Sequence, residues 1–233
     1  TLCEWLQTER PGSENRGVVD TAPLLERDFA RQAGLGWFGK NTLMINKRLG
    51  SWLLLAAVLT DIDFPPDGSF NTSHCGSRTR CLDACPTQAF PKPYTLDSRR
   101  CIAYWTIEHR GVIPVEIRPS IGEWLFGCDI CQDVCPWNSR SVPVDVPGFF
   151  PLNDRWDLGE LSTISRDEFR ERFRKTPVWR SKWQGLMRNT AVAIGNSGDV
   201  RHKPALERLA ACGDEVVEEH ARWALDKLER SGK

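Results

Sequence analysis

The hydrophobic and polar pattern divides the chain into three parts. Residues 1–70 mix helical and strand signals, residues 71–150 have little periodicity, and residues 151–233 carry helical stripes. In the first part, "DTAPLLERDFARQAG" predicts a helix with Thr21 as its N-cap, Pro23 in its first turn and Gly34 at its end. The apolar run in "SWLLLAAVLTD" predicts a short strand buried on both faces.

The last part predicts short helices joined by tight turns. Ser165 and Glu168 have the spacing of a capping box ahead of an apolar stripe. Further stripes follow and are interrupted by "GNSG" and by Gly213. This spacing favours a small HEAT-like helical repeat, and a simple helical cap on the core is the alternative.

Composition and charge exclude several classes of protein. The 233 residues are 40% hydrophobic and 27% charged, as in ordinary globular proteins, and the formal net charge is zero. No global basic field therefore indicates a nucleic-acid or membrane partner, although a local basic patch remains open. The longest apolar run, Leu53 to Leu59, is too short to span a bilayer. No export signal opens the sequence, so we expect a cytoplasmic protein without a membrane partner. The opening "TLCEWLQTERPG" has no initiating Met and is typical of the middle of a domain, which predicts a fragment.

Nine cysteines in a chain without an export signal favour metal or cluster ligation over disulfides. Seven of them lie between residues 75 and 138, where two stretches end in the pattern C-x3-C-P. That ending is typical of ferredoxins with two iron–sulfur clusters. A structural zinc site or unrelated thiols are the alternatives. The remaining two, Cys3 and Cys212, lie outside the pattern and are predicted to be plain buried residues.

In two-cluster ferredoxins the last cysteine of each motif binds the cluster of the other motif. This rule predicts one complete set of ligands, Cys85, Cys101, Cys128 and Cys131. The other set, Cys75, Cys81 and Cys135, has Arg78 at the position of its fourth ligand. A guanidinium has no lone pair to offer iron. That site has three open outcomes: a three-iron cluster, a fourth iron with an outside ligand, or an empty site.

Long stretches of the sequence resemble the epoxyqueuosine reductase family. They are "VDTAPLLERDFARQAGLGWFGKNTLMI", "CLDACPTQAF", "RRCIAYWTIEHRGVIPVEIRPSIGEWLFGCDICQDVCPWN" and the helical tail. The resemblance implies two [4Fe–4S] clusters and cobalamin as cofactors, and it makes the chain the C-terminal two thirds of a member. The expected fold is α+β, with the C-terminal part of a mixed α/β cobalamin-binding domain at 1–70. A ferredoxin-like two-cluster domain with a linker follows at 71–150, and a HEAT-like helical module at 151–233.

The resemblance also implies a reaction, the reduction of epoxyqueuosine to queuosine at the wobble position of tRNA. Electrons would reach cobalamin through the clusters, and an acid would protonate the epoxide oxygen before water is lost. The acid of the family falls on Asp20, where burial would help a carboxyl to keep its proton. Without the resemblance, Asp20 is better explained as a cap before a helix. The glycine-rich loop "GLGWFGKNTLM" resembles the family's cobalamin loop, with Lys40, Asn41, Thr42 and Met44 as candidate contacts.

Recognition of tRNA requires stacking groups for the exposed base and cations for the phosphates. The candidates are Tyr104, Glu108, Arg180, Lys182 and Arg188, with Arg99, Arg100, Arg201 and Lys203 as further backbone contacts. For any single one of these cations, solvated surface is the simpler explanation. The resemblance further implies an external electron donor such as a flavodoxin or a ferredoxin, and a monomer. The alternative functions are a ferredoxin-type electron carrier and a related corrinoid iron–sulfur reductase such as a reductive dehalogenase.

Overall fold

The computed structural model describes residues 1–20, 22–141 and 156–231. They form two compact units. The first unit comprises Thr1–Ala84, Lys92–Thr95 and Ile130–Pro143, and the second comprises Cys85–Pro91, Leu96–Asp129 and Val144–Lys233. The first unit thus includes three parts of the segment that the sequence assigns to a ferredoxin-like domain. The predicted boundaries at 70 and 150 stay predictions.

The regular elements are short in the first half of the chain and longer in the second. The helices are α1 Leu2–Glu9, α2 Glu26–Gln32, α3 Arg80–Asp83, α4 Arg118–Ile121, α5 Ile130–Asp133, α6 Leu158–Leu161, α7 Arg166–Phe173, α8 Lys182–Ser197, α9 Lys203–Leu209 and α10 Glu215–Ser231. The strands are β1 Asn15–Val18, β2 Trp37–Phe38, β3 Met44–Ile45 and β4 Ala57–Thr60. In the described part of the chain no helix is long and apolar enough to cross a membrane.

The apolar run near residue 55 does not form a strand buried on both faces. Only its end, β4, is a strand, and it pairs antiparallel with β1 from Ala57 opposite Val18 to Thr60 opposite Asn15. Leu59 and Leu54 are 48% and 81% exposed. The prediction of a buried strand was wrong, since β4 pairs with β1 in a two-stranded sheet and none of its residues is fully buried.

The predicted helix of residues 21–33 begins later than its sequence indicates. Helix α2 starts at Glu26, after Leu25, whose side chain makes no capping hydrogen bond. The predicted N-cap, Thr21, lies outside the described residues. Near the other end, Gly34 has φ +72°, a conformation that glycine adopts without strain. The predicted end of the helix is therefore close to the observed one, and the predicted start is wrong.

The glycine-rich loop forms a tight hairpin in which β2 pairs with β3. A Cβ atom on Gly36 would stand 2.0 Å from the carbonyl oxygen of Ile45, and one on Gly39 would stand 2.5 Å from the Asn41 side chain. Both glycines are therefore required by the close approach of the two strands. The sequence suggested that they make room for a cofactor, but the hairpin itself explains them.

The helical stripes of the second unit pack into one core. Ser165 accepts a hydrogen bond from the backbone of Glu168, whose carboxylate accepts one from the Ser165 N–H, so the predicted capping box of α7 is confirmed. The largest apolar cluster combines α7, α8, α9 and α10, with Met187, Leu206 and Val217 fully buried. Helices were predicted for residues 151–233, and this is confirmed for the described part of that range, residues 156–231. The HEAT-like arrangement stays a prediction.

Candidate cluster and cofactor site

Three cysteines of the first unit share one cavity. Cys75 and Cys135 are each 8% exposed and belong to a buried cluster with Trp37 and Ile45, and Cys81 lies on α3 beside them. Burial raises the pKa of the Cys81 thiol, and the neighbouring Cys135 and Cys75 raise it further. Three thiolates that share one cavity repel one another, so a cation between them is needed to hold them deprotonated.

Arg78 lies in the same cavity as these three thiols. Its backbone N–H donates to the Cys75 carbonyl oxygen at 3.2 Å, in a turn that contains Gly76 at φ +56°. A Cβ atom on Gly76 would stand 3.7 Å from Nη1 of Arg78, so the guanidinium lies over this turn. The other side chains that line the cavity are Lys40, Asn41, Ile45, Arg80, Pro136 and Trp137.

The second predicted ligand set is divided between the two units. Cys85, Cys101 and Cys128 belong to the second unit and Cys131, on α5, to the first. The sulfur of Cys85 accepts a hydrogen bond from the Ala89 N–H at 3.3 Å, an interaction that stabilises a thiolate ligand. Among the described residues no three His, Cys, Asp or Glu side chains are grouped closely enough to hold a single metal ion.

The segment from Cys101 to Cys128 is fixed by polar side chains of α8. Arg188 donates to the carbonyl oxygens of Trp105 and Gly111 at 2.6 and 2.8 Å. The amide of Asn189 donates to the carbonyl oxygen of Thr106 at 2.8 Å. Burial, followed by the neighbouring Arg110, lowers the pKa of Arg188 to about 10, so it stays charged at neutral pH.

Arg188 is 1% exposed, which corrects its assignment as a tRNA contact, since a buried guanidinium cannot reach a phosphate. The sequence could not reveal this, because a basic residue in an apolar helical stripe looks the same whether its head reaches solvent or the interior.

Two further buried polar groups attach the cysteine-bearing segment to α10. Arg118 is 1% exposed, donates to the Ile113 carbonyl oxygen at 2.8 Å and pairs with Glu219. His220 is fully buried and accepts the Ile113 N–H at Nε2, at 3.0 Å. Burial is the main cause that lowers the pKa of His220 to about 3, which keeps its ring neutral. The sequence placed His220 on the apolar stripe of its helix but gave no sign of these bonds.

Four of the five leading tRNA candidates lie at the surface of the second unit. Arg180 pairs with Glu108, which shares the π-helical turn Tyr104–Glu108 with Tyr104. Lys182 is exposed, and its Nζ lies 4.8 Å from the centre of the Trp179 ring. The structure therefore leaves these four residues accessible, although the Arg180 charge is partly offset by Glu108.

The additional basic candidates are exposed, but most are already paired. Arg99 pairs with Asp97 at 2.9 Å, and Arg201 pairs with Asp199 at 2.6 Å. The side-chain hydrogen bond from Arg201 lowers the pKa of Asp199 to about 2. Lys203 pairs with Glu229 at 3.3 Å, and Arg100 donates to the Gln88 carbonyl oxygen. Phosphate contacts by these residues would compete with internal partners.

A larger cavity of about 490 Å³ opens beside the hairpin. Its lining combines two arginines, four aromatic rings and small polar groups, namely Arg27, Arg31, Trp37, Phe38, Gly39, Thr42, Phe70, Asn71, Thr72, Ser73 and Tyr94. Among the described residues only two buried side-chain polar atoms lack a hydrogen-bond partner, Glu26 Oε1 and Trp37 Nε1. An unpaired buried donor at the wall of a cavity is consistent with a ligand that supplies the acceptor.

The four predicted cobalamin contacts differ in burial and in the cavity that they line. Met44 is 4% exposed within β3, and Asn41 is 3% exposed. The Asn41 amide donates to the Cys131 carbonyl oxygen at 3.2 Å and accepts from the Leu43 N–H at 3.3 Å, so its polar atoms are in use. Thr42 lines the larger cavity, whereas Lys40 lines the cysteine cavity and donates to the Gly76 carbonyl oxygen at 2.7 Å.

Asp20 does not cap a helix. It is exposed, with φ +46°, and α2 begins only at Glu26, so the capping alternative is wrong. Aspartate tolerates the left-handed region better than most residues, but the conformation is unusual enough to suggest a functional constraint. A surface cleft lies next to Asp20. Its lining includes Val18 and Pro23, which stand on either side of Asp20 in the sequence.

The sequence predicted that the two cysteines outside the cluster pattern are buried. The structure shows that neither of them is. Cys3 is half-buried on α1, and Cys212 is exposed at the turn after α9. The prediction failed because cysteine is buried on average, and the average does not fix a particular turn.

Comparison with known proteins supports the cluster assignment. The family described as the 4Fe-4S double cluster binding domain matches residues 74–138. The epoxyqueuosine reductase of Pseudomonas aeruginosa is 45% identical over 229 residues, which cover 96% of this chain and 63% of that protein. The epoxyqueuosine reductase of Xanthomonas campestris is 44% identical and covers 96% of this chain and 64% of its own length.

Solved structures of epoxyqueuosine reductases are similar to this chain in fold. A crystal structure of epoxyqueuosine reductase with an epoxyqueuosine-modified tRNA-Tyr stem loop matches with a TM-score of 0.88 at 34% identity, over 97% of this chain and 61% of that one. The Bacillus subtilis epoxyqueuosine reductase, with its catalytic aspartate loop swung out of the active site, matches with a TM-score of 0.87 at 32% identity, over 97% and 60%. The chain spans less than two thirds of the length of these relatives. By sequence, fold and cysteine pattern, the chain belongs to the epoxyqueuosine reductase family.

Proposed function

We propose that the protein that carries this chain reduces epoxyqueuosine to queuosine at the wobble position of tRNA. The observation that carries this proposal is the match, over 97% of the chain, to a reductase crystallised with an epoxyqueuosine-modified stem loop. The same match supports tRNA as the macromolecular partner. A cytoplasmic location, a monomeric state and an external flavodoxin- or ferredoxin-type electron donor are parts of the same proposal.

The proposed cofactors are two iron–sulfur clusters and cobalamin. The double-cluster family match and the cysteine spacing support Cys85, Cys101, Cys128 and Cys131 as the ligands of a complete four-iron cluster. The first site, with Cys75, Cys81 and Cys135, has thiolates for three irons. Bound beside the hairpin, cobalamin would supply a reducing metal centre for the epoxide carbon, with electrons from the clusters.

The larger cavity fits part of a corrinoid by its chemistry. Aromatic rings can pack against a flat macrocycle, and the unpaired Trp37 N–H can donate to one of the amide carbonyls at the corrin edge. Arg27 is held in place by donating to the Thr42 carbonyl oxygen at 2.6 Å. We therefore propose that Trp37 and Thr42 contact cobalamin. We also propose that Lys40, which lines the cavity of the three cysteines, lies between that cavity and the bound cobalamin.

Asp20 is the proposed acid that protonates the epoxide oxygen. Asp20 is exposed, has a positive φ and precedes α2 in the chain. In the Bacillus subtilis enzyme the catalytic aspartate loop is swung out of the active site, which supports a loop position for the acid of this chain as well. Exclusion of water by bound substrate would favour the protonated carboxyl, which is the form that can donate. The accessible residues Tyr104, Glu108, Arg180 and Lys182 are proposed to contact the tRNA.

The test is conversion of epoxyqueuosine to queuosine in tRNA by anaerobically purified protein with corrinoid and a chemical reductant, followed by mass spectrometry of the nucleosides. Queuosine formation that requires corrinoid supports the proposal. Corrinoid binding without tRNA turnover would instead favour a corrinoid reductase for another substrate. Clusters that bind without corrinoid would favour an electron carrier.

A further inference from the structure

The cavity of Cys75, Cys81 and Cys135 provides three iron ligands and no fourth. None of the other described residues that line it carries a thiol, an imidazole or a carboxylate. The Asn41 amide is engaged by Cys131 and Leu43, so it is not available to iron. A guanidinium has five donors and no lone pair, and it keeps its proton in proteins, so Arg78 cannot act as a ligand.

The charges around the cavity favour an anionic group with an open corner. Lys40, Arg78 and Arg80 place three cations along its wall. A fourth iron at the Arg78 corner would be a cation beside a guanidinium, without the thiolate that normally neutralises it. A cuboidal cluster that lacks this iron exposes sulfides at the same corner. Sulfide is a hydrogen-bond acceptor, and the guanidinium offers donors to it.

We propose that this site assembles a three-iron, four-sulfide cluster on Cys75, Cys81 and Cys135, and that Arg78 donates hydrogen bonds to the sulfides of its open corner. The inference rests on the cluster assignment within the proposed function. In the oxidised form, three ferric irons and four sulfides bind three thiolates, and the three thiol protons are released. The assembly then has two net negative charges, which the three cations of the wall offset.

The experiment is iron and sulfide analysis of the anaerobically reconstituted protein, combined with electron paramagnetic resonance after mild oxidation. We expect about seven irons and about eight sulfides per chain, because the other site holds a four-iron cluster. The oxidised protein should show the near-isotropic signal of a three-iron cluster at about one spin per chain. Arg78→Cys supplies the missing thiolate, so we expect about eight irons and loss of that signal.

Two control variants separate the added thiolate from the lost cation. Arg78→Ala removes the guanidinium without supplying a ligand, and it should keep the three-iron signal. Arg48→Cys adds a thiol at an exposed position outside the cavity, and it should leave the iron count unchanged.

About eight irons without the three-iron signal in the unaltered protein would overturn the inference, and so would about four irons, which would mean an empty site. None of these counts depends on epoxyqueuosine turnover. Failure of the proposed function and failure of the three-iron assignment are therefore measured separately.

Discussion

The guanidinium of Arg188 donates a hydrogen bond to the carbonyl oxygen of Trp105 at 2.6 Å, across 83 residues of sequence and inside the second unit. Trp105 stands four positions after Cys101, a proposed cluster ligand. Its indole N–H donates to the Arg99 carbonyl oxygen at 2.8 Å on the other side of Cys101. Helix α8 therefore sets the backbone that presents this cysteine, through bonds that only a long, buried cation can make.

Replacement of Arg188 by methionine should lower the free energy of unfolding by about 3 kcal/mol or more, because several buried carbonyl oxygens lose their donor. Urea denaturation of the purified protein measures this loss. The matched control is Arg222→Met, which removes an exposed arginine paired with Glu218 on α10 and should cost less than about 1 kcal/mol. Equal losses in the two variants would contradict the structural role of Arg188.

His220 should make the protein less stable as the pH falls below about 6.5. Its pKa is about 3 in the folded protein against an ordinary value of 6.5, so between these values only the unfolded chain binds the proton. The free energy of unfolding is then fully retained above pH 6.5 and decreases on acidification by at most about 1.4 kcal/mol per pH unit from this residue. Denaturation series across this range should show a shallower pH dependence for His220→Gln, which keeps a donor and an acceptor. An unchanged slope in the variant would assign the acid sensitivity to other groups.

Gly36→Ala should disrupt the hairpin next to the proposed cofactor cavity. The new methyl group would stand 2.0 Å from the Ile45 carbonyl oxygen, and backbone on both sides must move to admit it. We expect a loss of about 1–3 kcal/mol in thermal or urea unfolding. Gly68→Ala is the matched control, since a Cβ there meets nothing within 4 Å and the residue does not have a positive φ. A neutral Gly36→Ala would mean that the hairpin is less tightly paired than described.

Asp20→Asn should abolish most of the turnover while the protein still binds tRNA and corrinoid. An amide keeps the shape of the side chain but cannot deliver the proton, and loss of a general acid costs about 100-fold or more. Single-turnover formation of queuosine, measured beside tRNA affinity, separates these effects. Asp67→Asn changes an exposed carboxylate of a loop away from the proposed chemistry and should keep full activity. Loss of binding and turnover together would point to a structural role for Asp20.

The affinity for tRNA should fall as the salt concentration rises, because phosphate contacts release counterions. Lys182→Gln should reduce the slope of log affinity against log salt by about one contact, since its exposed ammonium has no carboxylate partner among the described residues. Lys203→Gln is the comparison, because Lys203 is already paired with Glu229. Filter binding or fluorescence anisotropy at several salt concentrations measures both slopes. A flat salt response of the unaltered protein would argue against backbone recognition.

Sequence alone determined the features that depend on neighbours a few positions apart. Ser165 and Glu168 specify their capping box because the two groups face each other within one helical turn. The spacing of Cys75, Cys81, Cys85 and Cys135 identified the double-cluster family, and it also identified Arg78 as a missing ligand, since cluster binding needs thiolates at fixed intervals.

Tertiary structure alone decided which side chains are available. Arg188 and Lys182 are both basic residues of α8, but the carbonyl groups that bury Arg188 come from a segment more than 70 residues away. The same dependence on remote partners holds the Asn41 amide on the Cys131 carbonyl oxygen, and it placed the Arg78 guanidinium in one cavity with three thiols. Burial is a property of the surfaces that meet in the fold, and no local pattern contains it.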